Sequence, residues 1–292
     1  MTTVALFGAG GKMGCRITDN LKDSAYDVRY VEVSPPGIEN LRKRGLAVTP
    51  REQALREAEA VILAVPDNLI ERIAGELVPS MKTGAMLVVL DAAAPFAGKL
   101  PARQDVTYVV THPCHPSVFN VETDPDAQRD YFGGIKAKQS IVCALMQGPE
   151  HDYEAGEALC RKMFAPVERA HRVTVEQMII LEPVLSETTA ATCITVIREA
   201  MEESIRRGVP RAAARDFILG HLNIEMAIVF EEIGSPFSDG AKKAIEKAKG
   251  QIFRSDWKKV FDAENVRETV AMITPPPPSR APAPGRATPA AG

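Results

Sequence analysis

The sequence predicts a doubly wound α/β domain of the Rossmann type, followed by an all-helical domain. A short apolar strand, Val4 to Phe7, runs into a glycine-rich turn and then into a helix, the order in which backbone N–H groups receive a pyrophosphate. Further strands and helices alternate up to about residue 147, and beyond it the apolar residues recur at helical spacing. We therefore predict a dinucleotide-binding domain over residues 1–147, a helical substrate and dimerisation domain over 148–273, and a disordered Pro/Ala-rich tail over 274–292.

Composition narrows the class of protein. A chain of 292 residues is long enough for about two domains, and its net charge of −3 argues against nucleic acid or an anionic membrane as the main partner. No run approaches ~20 uninterrupted apolar residues, so we expect no transmembrane helix. The first residues, MTTVALFGAG, lack a basic n-region, and the five scattered cysteines are typical of free thiols. We therefore expect a cytoplasmic protein.

The segment from Gly8 to Gly14, called the glycine turn below, carries the dinucleotide-binding signal. It departs from plain G-x-G-x-x-G because Met13 stands where the third glycine would fall, and Gly14 follows it. Glu32 lies near the end of the second strand, 18 residues after Gly14, where an acid accepts the hydroxyls of the adenosine ribose and repels a 2′-phosphate. Glu32 could instead be a solvated strand end. We predict NAD rather than NADP as cofactor, with this turn and Glu32 in contact with it; the candidate residues of the turn are Gly8, Gly10, Gly11, Lys12, Met13 and Gly14.

Later elements continue the alternation. Leu46–Val48 reads as a short third strand, and further strands are predicted at Ala60–Val65, Met86–Leu90, Val106–Val110 and Ser140–Met146. Ligands of such sheets lie beyond the carboxyl ends of the strands, so we expect Val65, Pro66 and Asp67 near the ribose next to the nicotinamide. Asp67 could at the same time be the N-cap of the following helix.

Two histidines follow the predicted strand Val106–Val110, in the proline-stiffened loop T-H-P-C-H-P. Their spacing matches no standard zinc pattern, and neighbouring side chains of an extended loop point apart. We expect His112 to act in catalysis or metal ligation. For His115 a packing or supporting role is the favoured alternative.

The stretch from Val173 to Arg207 is predicted to form a long helix. Its part from Met178 to Ile197 contains no Lys or Arg, so we expect it to be buried on every side and partly covered by a second copy of the chain. Glu182 is followed by Pro183, which predicts a bend or a helix start at this point. Glu182 either pairs with a basic group or contacts a ligand. In the next helix His221 and Glu225 lie four residues apart and either join a metal site or bond each other.

The segments GAGGKMG, AVPDN, THPCHPSVF and LEPVLSETTA, together with Glu32, resemble those of the D-apionate oxidoisomerases, NAD-linked relatives of the 6-phosphogluconate dehydrogenase superfamily. The resemblance implies a sugar-acid substrate and the conversion of D-apionate to 3-oxo-isoapionate. It also implies a divalent metal, most simply zinc, with His112 and Glu182 as ligands and catalytic residues.

The sequence departs from the better-known hydroxyacid dehydrogenases of the superfamily, which use a lysine followed four residues later by an asparagine. Val173 to Ile197 contains no lysine, so a Lewis acid is the natural substitute for a lysine base. The alternatives are a simple NAD-dependent hydroxyacid or prephenate-type dehydrogenase without rearrangement, and a non-catalytic NAD-binding sensor.

Overall fold

The computed structural model describes residues 2–274, which form two compact units. The first contains the chain up to Ile179 and the chain from Val270 on, and the second contains Ile180–Thr269. The predicted domain boundary after residue 147 lies before the observed one at Ile179, because the helix and the strand that follow residue 147 still belong to the first unit. Thr274, predicted to begin the tail, is buried and its hydroxyl donates to the Val270 carbonyl oxygen at 2.7 Å; the rest of the predicted tail lies outside the described residues.

The first unit is built on a seven-stranded sheet in the order β2-β1-β3-β4-β5-β6-β7. All neighbouring strands are parallel except β5 and β6, which pair antiparallel. The predicted doubly wound α/β class is therefore confirmed. The strands are Thr3–Phe7 (β1), Asp27–Val31 (β2), Ala60–Leu63 (β3), Met86–Val89 (β4), Thr107–His115 (β5), Gln139–Gln147 (β6) and Val167–Arg172 (β7).

Helices cover both faces of this sheet, which explains the near-continuous apolar character of its central strands. Successive residues of β1 and β3 enter separate cores: Leu6 and Ile62 pack into one, and Ala5 and Val61 into the other. The α-helices of the first unit before the chain enters the second are Lys12–Leu21 (α1), Pro35–Lys43 (α2), Arg51–Glu57 (α3), Asp67–Leu77 (α4), Ala93–Phe96 (α5), Asp152–Met163 (α6) and Val175–Ile179 (α7).

Two strand predictions differ from the structure. Leu46–Val48 is not a strand; the chain passes β2 irregularly, and the Thr49 N–H donates to the Tyr30 carbonyl oxygen at 2.7 Å. The strand predicted to end at Val110 continues to His115, because β6 pairs with the predicted loop residues as well. The two histidines therefore lie in a strand and not beyond it.

The second unit begins with a π-helix over Ile180–Ala191 and continues into α8, Thr192–Arg206. Pro183 cannot donate to a helical carbonyl and its ring crowds the preceding turn, so the irregular winding here has a local cause. The hydroxyls of Thr188 and Thr189 donate to the carbonyl oxygens five residues earlier, at 2.7 and 2.9 Å. The helix does not start at Pro183, because helical winding already begins at Val175; a bend at Pro183 stays a prediction. The remaining helices are Arg211–Val229 (α9), Asp239–Ile252 (α10) and Ala263–Ile273 (α11), of which the last returns to the first unit.

The expected all-round burial of Met178 to Ile197 is wrong for the single chain. Pro183 and Val184 are buried, but Leu185 is 47% and Ile194 54% exposed. By length and composition alone the helix from Val175 to Arg206 could cross a membrane, with a mean hydropathy of 1.3 over its most apolar window. Apolar composition does not distinguish cover by the same chain from cover by a second copy or by lipid, and the sequence prediction failed for this reason.

Candidate active site

The glycines of the glycine turn are needed for close backbone approach. A Cβ on Gly8, whose φ is +75°, would lie 2.3 Å from the Ala64 carbonyl oxygen. A Cβ on Gly10 would lie 2.1 Å from the Gly37 oxygen, and one on Gly14 would lie 1.9 Å from the Gly8 oxygen. Gly14 thus takes the helix-packing role of the third glycine in such turns, and Met13 does not. The turn leads directly into the N-terminus of α1, which favours an anion.

Glu32 fastens the glycine turn to the end of β2. Its Oε2 accepts from the Gly10 N–H at 3.0 Å, and its Oε1 accepts from the N–H groups of Val33 and Ser34 at 2.8 and 2.9 Å. A carboxylate offers about four acceptor positions, so this arrangement leaves room for one further donor such as a ribose hydroxyl. Asn40 also contacts the glycine turn, because its side-chain amide donates to the Gly10 carbonyl oxygen at 2.9 Å. Its position on α2 carries no motif from which this contact could be predicted.

Val65 lies beside the glycine turn, since its Cγ1 would be 3.2 Å from a Cβ on Gly8; its approach to the ribose next to the nicotinamide stays a prediction. Pro66 and Asp67 follow it at the surface. The helix α4 begins at Asp67 itself and Pro66 holds the cap position, so the N-cap role proposed for Asp67 is wrong. A carboxylate in the first turn still interacts favourably with the helix dipole.

His112 lies on β5, half-buried, and its Nδ1–H donates to the Leu90 carbonyl oxygen at 3.1 Å. Burial lowers the pKa of His112 from its ordinary value, partly offset by this hydrogen bond and by the Asp91 carboxylate. A lowered pKa favours the neutral form of the ring. With the proton on Nδ1, its Nε2 is the nitrogen with the lone pair, the form in which histidine binds metals or accepts protons.

His115 lies close to His112, with their ring centroids 6.0 Å apart and the rings edge to face. Its Nδ1–H donates to the carbonyl oxygen of Phe132 at 2.9 Å, and the Phe132 ring lies 5.8 Å from it. Phe132 also contacts the glycine turn, because the Lys12 ammonium lies 3.8 Å from the centroid of its ring. A chain of contacts thus joins the glycine turn to both histidines of β5.

Glu182 lies in the second unit, half-buried on the π-helix next to Pro183. His221 is exposed on α9, where it stacks on the Phe217 ring at 3.9 Å and its Nδ1–H donates to the Phe217 carbonyl oxygen at 2.9 Å. Within residues 2–274, no three His, Cys, Asp or Glu side chains cluster closely enough to hold a metal by themselves. The imidazole of His112 and the carboxylate of Glu182 are each a donor type that divalent cations bind.

Two family models match the chain. The NADPH-binding domain of acetohydroxy acid isomeroreductase matches residues 1–119, and the C-terminal domain of decarboxylating phosphogluconate dehydrogenase matches residues 120–274. They cover the chain from its first residue to Thr274.

Curated relatives and a solved structure match over nearly the whole length. The D-apionate oxidoisomerase of Cupriavidus necator is 55% identical over 93% of this chain and 99% of its own, and that of Rhizobium rhizogenes is 54% identical over 94% and 100%. A crystal structure of a semialdehyde dehydrogenase NAD-binding protein from Cupriavidus necator, in complex with calcium and NAD, is 55% identical with a TM-score of 0.92 over 94% of this chain and 100% of its own. This chain belongs to the family of the D-apionate oxidoisomerases and is an oxidoreductase.

Proposed function

We propose that the protein oxidises and isomerises D-apionate to 3-oxo-isoapionate with NAD as oxidant and a divalent metal as Lewis acid. Full-length similarity to enzymes named for this activity carries the proposal. The NAD in the complex of the Cupriavidus necator protein and the acid at Glu32 support the choice of dinucleotide. We place the reaction in the cytoplasm, with a sugar acid as ligand and neither nucleic acid nor a membrane as partner.

The residues of the first unit account for cofactor binding. The glycine turn and the N-terminus of α1 receive the pyrophosphate, and the Glu32 carboxylate accepts from the adenosine ribose. Val65, Pro66 and Asp67 follow the carboxyl end of β3 and approach the ribose next to the nicotinamide. Because these residues bind the cofactor, the substrate would bind near the end of β5, next to His112.

The reaction begins with oxidation at C2 of the substrate. The C2–H bond breaks and its hydrogen leaves with two electrons for NAD, while the C2 hydroxyl loses its proton and becomes a ketone. The neighbouring C3 carries a hydroxyl and two hydroxymethyl groups. When the C3 hydroxyl loses its proton and becomes a ketone, one hydroxymethyl group moves with its bonding electrons to C2, whose oxygen then takes up a proton.

His112 and Glu182 are the proposed metal ligands. A divalent metal held by them would polarise the C2 oxygen and favour both the loss of its proton and the migration to C2. Imidazole and carboxylate donors suit zinc, whereas the Cupriavidus necator structure was solved with calcium, so the activity should be assayed with each metal. The lowered pKa of His112 favours the neutral ring, and the Leu90 carbonyl oxygen orients it, as a ligand histidine requires.

Incubation of the protein with NAD and D-apionate labelled with ¹³C in its hydroxymethyl groups tests this proposal. We expect NADH to form and NMR to show one labelled carbon attached to C2, because the hydroxymethyl group migrates. NADH formation with an unrearranged 2-keto acid as product would select the simple hydroxyacid dehydrogenase instead. If no sugar acid gives NADH, the result would favour the alternative that the protein is a non-catalytic NAD-binding sensor.

We also propose a homodimer formed through the helical unit. Phe217 on α9 is 66% exposed, and Ile194 on α8 is 54% exposed, so these helices present apolar surface that a second copy would cover. Glu182 and Pro183 within the long helix favour cover by protein over cover by lipid, because an ionisable group is costly in a bilayer.

Light scattering at micromolar concentration is expected to report twice the chain mass of 31.6 kDa. Phe217→Asp should shift the protein to monomer, since it places a charge in the proposed interface. Met272→Asp, at a residue 76% exposed in the first unit, is the matched control and should remain dimeric. A monomeric unaltered protein would exclude the dimer.

A further inference from the structure

The end of β5 departs from a regular strand. Pro113 pairs with Ile141 of β6 and His115 pairs with the neighbouring Ser140. Cys114 therefore has no partner residue on β6 and forms a β-bulge. His115 has a φ of 61°, in the left-handed region that non-glycine residues seldom adopt. β-Bulges and strained residues of this kind occur next to active sites, where they redirect a side chain.

The bulge decides which way His115 faces. Residues three apart in a regular strand point to opposite faces of the sheet, so His112 and His115 would be separated. The extra residue at Cys114 reverses the alternation, and the two rings meet edge to face at 88°. The strained backbone therefore has a specific result, which is to bring a second imidazole beside His112.

Contacts within the first unit fix the orientation of the His115 ring. A carbonyl oxygen only accepts, so the hydrogen bond to Phe132 requires the hydrogen on Nδ1 of His115 and leaves the lone pair of the neutral ring on Nε2. The buried Asp130 carboxylate holds the loop that contains Phe132. Its Oδ2 accepts from the N–H groups of Ile135 and Lys136 at 3.0 and 2.9 Å. In the neutral ring, Nε2 of His115 is thus the nitrogen that can accept a proton.

We propose that His115 is the catalytic base that takes the C2 hydroxyl proton of the substrate. The inference rests on the proposed function, which leaves this proton without an acceptor. As the C2–H hydrogen leaves with two electrons for NAD, the O–H bond breaks, its electrons form the C2=O bond, and the proton binds Nε2 of His115. The half-exposed ring then releases the proton to water. His112 cannot serve in this step, because its Nε2 is the nitrogen that would bind the metal.

Replacement of His115 separates a proton-accepting role from a structural one. His115→Ala should lower kcat by about 100-fold, within the range for loss of general base catalysis, and free imidazole should restore part of it. His115→Asn tolerates a positive φ, and its amide can still donate to Phe132, but it accepts no proton; it should lose as much activity and not respond to imidazole. Bound metal and the Kd for NAD should change no more than a few-fold in both variants. His171→Ala, at an exposed residue of β7, is the control and should be fully active.

Full activity of His115→Asn would overturn the proposal and leave His115 a structural role. ¹⁵N NMR of the histidine rings gives a readout that does not depend on turnover. We expect the Nδ1–H tautomer for His115 and a shift of its Nε2 resonance when D-apionate and NADH are added together. If the unaltered protein forms no NADH from D-apionate, the proposed function fails. If His115 carries its hydrogen on Nε2, this inference fails whether or not D-apionate is turned over.

Discussion

Glu182→Gln is expected to lower the turnover of D-apionate by about 100-fold or more, because a Lewis acid contributes several kcal/mol to such a reaction. Glutamine keeps the size of the side chain but removes the charge that would hold a divalent cation. Metal content, measured by elemental analysis of the purified protein, should fall together with kcat. The Kd for NAD should stay within a few-fold of the unaltered value, since the glycine turn and Glu32 are unchanged.

Glu199→Gln is the matched control for this experiment. Glu199 lies exposed on α8, and the substitution makes the same change of charge, so activity and metal content should remain as in the unaltered protein. Exhaustive chelation should reproduce the effect of Glu182→Gln, and re-addition of zinc or calcium should show which ion restores turnover. Full activity after chelation would falsify the metal-assisted reaction.

Glu32→Ala is expected to reduce the preference for NAD over NADP by about 10- to 100-fold. Each hydrogen bond to a charged group contributes about 1.5–3 kcal/mol, so NAD loses affinity when its ribose loses the carboxylate. NADP gains affinity, because its 2′-phosphate no longer meets a negative charge. The ratio of kcat/KM for the two dinucleotides measures the change.

The same substitution also removes the acceptor of the Gly10 N–H, so part of the loss for NAD comes from a looser glycine turn. Glu39→Ala serves as the control, because Glu39 lies on α2 and pairs with Arg42 at 2.7 Å. It changes the net charge equally and should leave the ratio unaltered. Equal kcat/KM values for NAD and NADP in the unaltered protein would show that Glu32 does not select the cofactor.

The sequence by itself determined the local geometry of the proposed dinucleotide-binding half of the site. Glycine spacing, strand order and the position of Glu32 are local features, and the backbone approaches at Gly8, Gly10 and Gly14 allow little but glycine. Elements without a local signature were missed. β7 has mixed polarity and pairs with β6 alone, whereas Leu46–Val48 is apolar but finds no strand partner in the sheet.

Tertiary structure decided how the β5 histidines are arranged and how far the helical half is covered. The antiparallel partner β6 extends β5 to His115, and the bulge at Cys114 appears only when the two strands are paired. The sequence alone placed these histidines in a loop with side chains pointing apart. Apolar composition likewise predicted burial of Met178 to Ile197, but what covers a helix depends on its neighbours in space, and a single chain leaves Leu185 and Ile194 exposed. Spacing along the chain determines local backbone geometry, whereas the direction of a side chain and its cover depend on pairing partners that lie far away in sequence.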